Sequence, residues 1–145
     1  MIFELVALLC TGCFAGAAIY ITLVEHPARM ECGVPLALAE FRPSYRRAAV
    51  MQATLAAVGS LAAIAAWATG RSALALFAGL LLGAVIPYTL LVVLPTNTRL
   101  LDPSLDASAP DAGALLARWG RLHAVRSAAS LVAFVLLSID LAMTA

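Results

Sequence analysis

The chain has 145 residues, 63% of them hydrophobic and 12% charged, with a formal net charge of +1 and a mean hydropathy of +1.00. That is one domain at most, and more apolar side chain than a soluble core of this length can hide. Nine arginines, no lysine and eight acids nearly cancel, which excludes a nucleic-acid partner held by bulk charge.

Four stretches reach the roughly 20 apolar residues that a helix needs to cross a hydrocarbon core. They are about Phe3–Val24, Ala48–Thr69, Ser72–Leu94 and Arg126–Met143. The expected fold is all-α, an integral membrane four-helix bundle in one domain over residues 1–145. Only Glu4 and Asp140 place acids inside the spans.

The first stretch has Glu4 where a secretory signal carries basic residues, and no small-x-small cleavage site follows it, so it reads as a retained helix. It contains Cys10-Thr-Gly-Cys13, formally a C-x-x-C. Inside an apolar helix, with no second pair to relay electrons, these cysteines read as small packing residues. Gly12-x-x-x-Gly16 lets helix backbones approach closely in lipid, and Gly79-x-x-x-Gly83 repeats the signal in the third span. The spacing leaves open whether they pack within one bundle or between copies of a homo-oligomer. Pro27 disfavours helical geometry in the residue before it, so helix one is expected to end at Val24 with His26 at a break.

The first loop is expected to be short and partly helical. Its turns fall at Gly33-Val34-Pro35 and Phe41-Arg42-Pro43-Ser44, and Ser44 would cap a second helix starting near Tyr45. Gly70-Arg71-Ser72 makes a tight hairpin. In the third span, Thr89 is close enough to serve a backbone group freed by Pro87. Turn formers fill Asp102 to Pro110, and Asp111 is expected to cap a helix running through Trp119, His123 and Arg126 into the fourth span.

Eight of the nine arginines flank loops one and three; loop two has Arg71 alone. The positive-inside rule then puts loops one and three in the cytoplasm and both termini outside. An alanine-rich, lysine-free chain is also associated with GC-rich bacterial genomes, which suggests a bacterial inner membrane.

Trp119, His123 and Arg126 are spaced i, i+4, i+7 and share one face of a helix. Glu25 and His26 end helix one at the same predicted depth, and Asn97 ends helix three there. Ionisable groups at such a depth face a bundle interior or polar cavity and are functional candidates. Each also has a plainer reading: Arg126 reaching headgroups, Trp119 in an interfacial belt, Glu25 paired with Arg126 or Arg46. The two histidines are the only ones in the chain. Together with Glu25 they match a mononuclear iron or copper site, if a metal is present, although neighbours such as Glu25 and His26 point about 100° apart on a helix.

Several runs resemble the anthrone oxygenase-like family of small four-span membrane proteins. They are Gly16-Ala-Ala-Ile-Tyr20, Val24-Glu-His-Pro-Ala28, Phe41-Arg-Pro-Ser-Tyr-Arg-Arg47 with Met51-Gln52, Pro87-Tyr-Thr89, Leu94-Pro-Thr-Asn97 and Trp119-x-x-x-His123-x-x-Arg126. The resemblance covers nearly the whole chain in order. It implies conversion of an anthrone to an anthraquinone with dioxygen at the cytoplasmic mouth of the bundle, with no cofactor or with one transition metal. On that reading His123 is base or ligand and His26 its partner. Glu25 orients an imidazole, Asn97 and Arg126 hold an oxyanion, and Trp119, Tyr20, Tyr45 and Tyr88 contact a flat lipophilic substrate. Two other classes stay open: a non-catalytic carrier or accessory subunit using Glu4 and Asp140, and a thiol redox protein using Cys10 and Cys13.

Overall fold

In the computed structural model, which describes residues 1–144, every regular element is helical, and the helices join into four long rods. In the first rod α1 (Ile2–Tyr20) passes through a π-helical segment (Ile21–Glu25) into α2 (His26–Glu31). Gly33, at φ 87°, turns the chain into α3 (Val34–Ala68), a 35-residue rod. Gly70, at φ 103°, makes the next turn, and Ser72 Oγ caps the Leu74 N–H at 3.1 Å to start α4 (Ala73–Tyr88). Both turns use a backbone conformation that glycine adopts without a side-chain clash. The third rod passes through a second π segment (Thr89–Val93) into α5 (Leu94–Leu101), and α6 (Pro110–Thr144) is the fourth. All four are long and apolar enough to cross a membrane.

The helices overrun the expected spans, and most of the arginine-rich sequence read as loop is helix. Helix one does not end at Val24. A proline lacks an N–H and crowds the carbonyl four residues back. Here the π segment ends two residues before Pro27, so the α-helical ladder restarts with the proline in its first turn, where no N–H is needed. The third rod repeats the device, with Pro95 in the first turn of α5. Pro43 lies inside α3, and Ser44 caps nothing. The lost hydrogen bond costs ~3 kcal/mol. Against it, Leu38 and Phe41 are buried with Leu115, Leu116 and Trp119 of α6, at about 1.5–3 kcal/mol for each large side chain. Thr89 does not serve the carbonyl freed by Pro87: its Oγ1 donates to Val85 O at 2.7 Å, not to Gly83.

The rods run up and down in sequence, α1 packing on α3 and α6 and α4 on the same two. Two hairpins of one plan result, each pairing a rod broken by a π segment with an unbroken 35-residue rod. The interior is built of small residues, among them Ala7, Ala18, Ala56, Ala63, Ala75, Ala78 and Ala133, while Leu9, Leu23, Val50, Leu61 and Leu91 face outward. This distribution suits lipid, where close backbone packing rather than apolar burial holds helices together. A Cβ on Gly79 would stand 3.0 Å from Ala63 Cβ, and one on Gly12 2.9 Å from the Phe134 ring. Three of the four spaced glycines, Gly12, Gly79 and Gly83, thus meet neighbours within the bundle; Gly16 meets nothing within 4 Å.

At the Arg71 end, Arg71 Nε donates to Glu4 at 2.6 Å, and Ser72 Oγ donates to Asp140. The two acids inside the spans therefore tie the first and fourth rods to the α3–α4 turn.

Candidate functional site

At the arginine-rich end, a cavity of about 210 Å³ lies among all four rods. From α6 come Trp119, His123 and Arg126, on one stripe as their spacing predicts; α3 adds Phe41, Tyr45 and Gln52. The first rod supplies Phe14, Ile21, Glu25 and Arg29, and the third Val85, Ile86 and Thr89.

Trp119 sits at the centre of an aromatic group. Its ring stacks on His123 at 4.8 Å between centroids, packs on His26 at 5.2 Å and takes Phe41 edge-on at 5.0 Å. The Arg29 guanidinium lies 5.9 Å from the same ring, within cation–π reach. Gly120 makes room for His26, since a Cβ there would meet His26 Nε2 at 2.5 Å.

His123 is 1% exposed, and its Nδ1 lies 3.0 Å from Thr22 Oγ1. Thr22 Oγ1 is 2.7 Å from Ser127 Oγ, which donates to the Ala18 carbonyl at 2.9 Å. Among the described residues nothing bonds Nε2, so this is the nitrogen left to the cavity that His123 lines. Arg126 is buried, donates to Gln52 Oε1 at 2.8 Å and lies 5.7 Å from the Phe14 ring. Apart from Arg29 Nε, which has the Glu40 carboxylate 2.7 Å away, three residues of the cavity wall carry a buried N–H group without an acceptor among the described residues: Gln52 Nε2, Trp119 Nε1 and Arg126 Nε.

The expected residues separate into two groups. Trp119, His123, Arg126, Tyr45 and Glu25 line the cavity together. Glu25 orients no imidazole, however, and pairs with neither Arg126 nor Arg46; it accepts from Arg29 and, at 2.7 Å, from Ser44 Oγ. Arg29, which is buried, also meets Glu40 at 2.7 Å. His26 lies against Trp119 and does not line the cavity. Asn97 stands outside it too, its Nδ2 donating to Tyr45 Oη at 2.8 Å. Tyr88 donates to the Leu122 carbonyl at 3.3 Å. Tyr20 is exposed and lines an adjoining, more open cavity of about 570 Å³ between the first rod and α3, which shares Ile21, Glu25, Ser44 and Ala48 with the first. Cys13 faces outward, and Cys10 packs against α3 at Gly59.

A facial metal triad of His26, His123 and Glu25 does not fit. Trp119 packs against both imidazoles, the Glu25 carboxylate is committed to Arg29 and Ser44, and no three potential ligands gather among the described residues.

Sequence reasoning missed Thr22, Ser127 and Arg29 as site residues and left Gln52 without a role. Ser127 was within reach, because it follows His123 by four residues on the same helical stripe. Thr22 and Arg29 are brought in by packing between rods and carry no such signal.

A family profile described as anthrone oxygenase matches residues 41–136. The chain belongs to the anthrone oxygenase family. The anthrone oxygenase match includes Tyr45, Gln52, Asn97, Trp119, His123, Arg126 and Ser127, while Thr22, Glu25 and His26 precede it. No curated protein and no solved structure matches the chain.

Proposed function

We propose that the protein is a membrane-embedded oxygenase that converts a lipophilic anthrone-type substrate to the quinone in the 210 Å³ cavity, with dioxygen as oxidant. The observation that carries this reading is the pairing of two features in one largely apolar wall. One is an imidazole nitrogen with no protein partner; the other is a set of three buried N–H donors with no acceptor. Buried donors are costly to leave unpaired, and in this reading a bound acceptor oxygen pairs with them.

The chemistry follows from that arrangement. The substrate carbonyl lies against Arg126, Gln52 and Trp119, which stabilise negative charge as it develops on oxygen. His123 Nε2 removes a proton from the doubly benzylic carbon opposite that carbonyl. The resulting enolate passes one electron to dioxygen, and the radical pair combines into a carbon-bound hydroperoxide that takes up the proton. Loss of the second proton from that carbon, with cleavage of the O–O bond, leaves a ketone and one water. One anthrone and one O2 thus give one anthraquinone and one H2O. Trp119 and Tyr45 form the flat walls, and His26 holds Trp119 in place from outside the cavity.

Oxygen uptake by the purified protein in lipid nanodiscs, with a model anthrone, tests the reading. We expect one O2 consumed per quinone formed, and a loss of about 10²-fold or more in His123→Asn. Tight anthrone binding without oxygen consumption would instead mark a carrier.

The eight arginines at the site end support a topology with that end in the cytoplasm and both termini outside, in a bacterial inner membrane.

A further inference from the structure

His123, Thr22, Ser127 and the Ala18 carbonyl stand in a line, with successive separations of 3.0, 2.7 and 2.9 Å. In the first two links either partner can be the donor. In the last link the direction is fixed, because a carbonyl oxygen has no hydrogen and only accepts. Ser127 has one hydroxyl proton, and besides Thr22 the groups within its reach are two carbonyls, Ala18 at 2.9 Å and His123 at 3.3 Å. With its proton on a carbonyl, Ser127 can only accept from Thr22. The single Thr22 proton is then spent as well, so Thr22 can only accept from His123 Nδ1, and that nitrogen must carry a hydrogen.

We infer that Thr22 and Ser127 are positioning residues that hold His123 in its Nδ1–H tautomer and leave the Nε2 lone pair for the cavity. The inference rests on the reading of His123 as the base, and it assigns that base its active form. The opposite polarity requires Ser127 to abandon both carbonyls. One buried hydrogen bond of ordinary strength biases the two forms about fivefold. The anchor carbonyl belongs to Ala18 in the last turn of α1, next to the π segment, and it accepts from the Ile21 N–H as well as from Ser127. The first rod thereby sets the proton position of a side chain on the fourth. Orientation of an imidazole by the partner of its other nitrogen is a general device, and here hydroxyls fill the place in which Glu25 was expected.

The test is nitrogen-15 NMR of the full chain, labelled at histidine, in lipid bilayers. Ring shifts separate protonated from bare nitrogens, and His123→Asn identifies the His123 signals. The parent is expected to show Nδ1 protonated and Nε2 bare. In Ser127→Ala the Thr22 proton loses its acceptor and turns to Nδ1, so the two signals exchange roles. Thr22→Val leaves Nδ1 unpartnered and gives a mixture, whereas Thr22→Ser restores the parent pattern. A parent protonated at Nε2, or a Ser127→Ala spectrum equal to the parent's, would overturn the inference. None of these readouts needs turnover. The expected spectra with no oxygen uptake on any anthrone would sink the proposed reaction and leave the tautomer assignment standing. Where uptake is measured, Ser127→Ala lowers kcat about tenfold or more with KM nearly unchanged. A fall in kcat with the tautomer unchanged would mark a merely structural role and count against the inference.

Discussion

Arg126 and Arg29 are both buried, at 8% and 6% exposure, yet they are compensated in different ways. Arg29 meets the carboxylates of Glu25 and Glu40, while Arg126 is given a neutral amide, Gln52. A buried cation without a counter-ion is expensive and is kept where its field is needed. Two substitutions separate the field from the fold. Gln52→Met removes the acceptor and is expected to cost about 1–3 kcal/mol, read as a lower thermal midpoint in detergent. Gln52→Glu supplies a counter-ion, so the midpoint is expected to rise and, on the proposed function, oxygen uptake to fall, because the carboxylate neutralises the charge proposed to face the substrate oxygen. A second residue-level expectation concerns the α5–α6 loop. Ser104, through its hydroxyl and then its N–H, holds the Asp102 carboxyl below the ordinary Asp range, and the Ser108 N–H and hydroxyl do the same for Asp106. A carboxyl held low contributes order above the ordinary pKa of about 4, and that order is lost as pH falls through the folded value. Amide exchange at Ser104 and Ser108 is therefore expected to speed up relative to neighbouring loop amides below that range. At this scale the sequence was informative wherever one helix carries the pattern, as for Trp119, His123 and Arg126. It was silent where partners come from different rods: nothing in the spacing joins Thr22 to His123 or Gln52 to Arg126.

Helix number and order were legible from apolar run length, because a span must satisfy its backbone internally. Helix ends were not, since Pro27 and Pro43, read as a break and a turn, and Pro95, at the end of the third expected span, are all absorbed within the rods. Two are absorbed by π segments and one by the packing of α3 on α6. The glycines that sequence spacing marks divide by packing, since Gly12, Gly79 and Gly83 meet neighbours and Gly16 does not. Gly16→Ala meets nothing within 4 Å and is expected to gain up to ~1 kcal/mol from helix propensity. Gly79→Val drives its branches against Ala63, Ile64 and the Ser60 carbonyl and is expected to lose about 1–3 kcal/mol. Thermal unfolding of the two variants side by side should move in opposite directions. Equal losses would mean that the face bearing Gly16 is also covered.

For the molecule as a whole, the proposed orientation can be read with cysteines already present. Cys32 is exposed at the α2–α3 turn on the arginine-rich end, whereas Cys10 and Cys13 lie within a membrane-crossing rod. A membrane-impermeant maleimide is expected to label Cys32 only after the cells are opened; labelling in intact cells would invert the topology. The two hairpins of one plan carry a consequence for how the chain can be handled. Their covalent link is the short turn at Thr69 to Ser72, on the far side of the membrane from the cavity. Both hairpins contribute to the wall, the first the larger share: Phe14, Tyr45 and Gln52 come from one, Val85, His123 and Arg126 from the other. The molecule is thus a dimer of halves that happens to be translated as a single polypeptide. Two co-expressed fragments cut at that turn should find one another in the bilayer and restore oxygen consumption that neither fragment has alone.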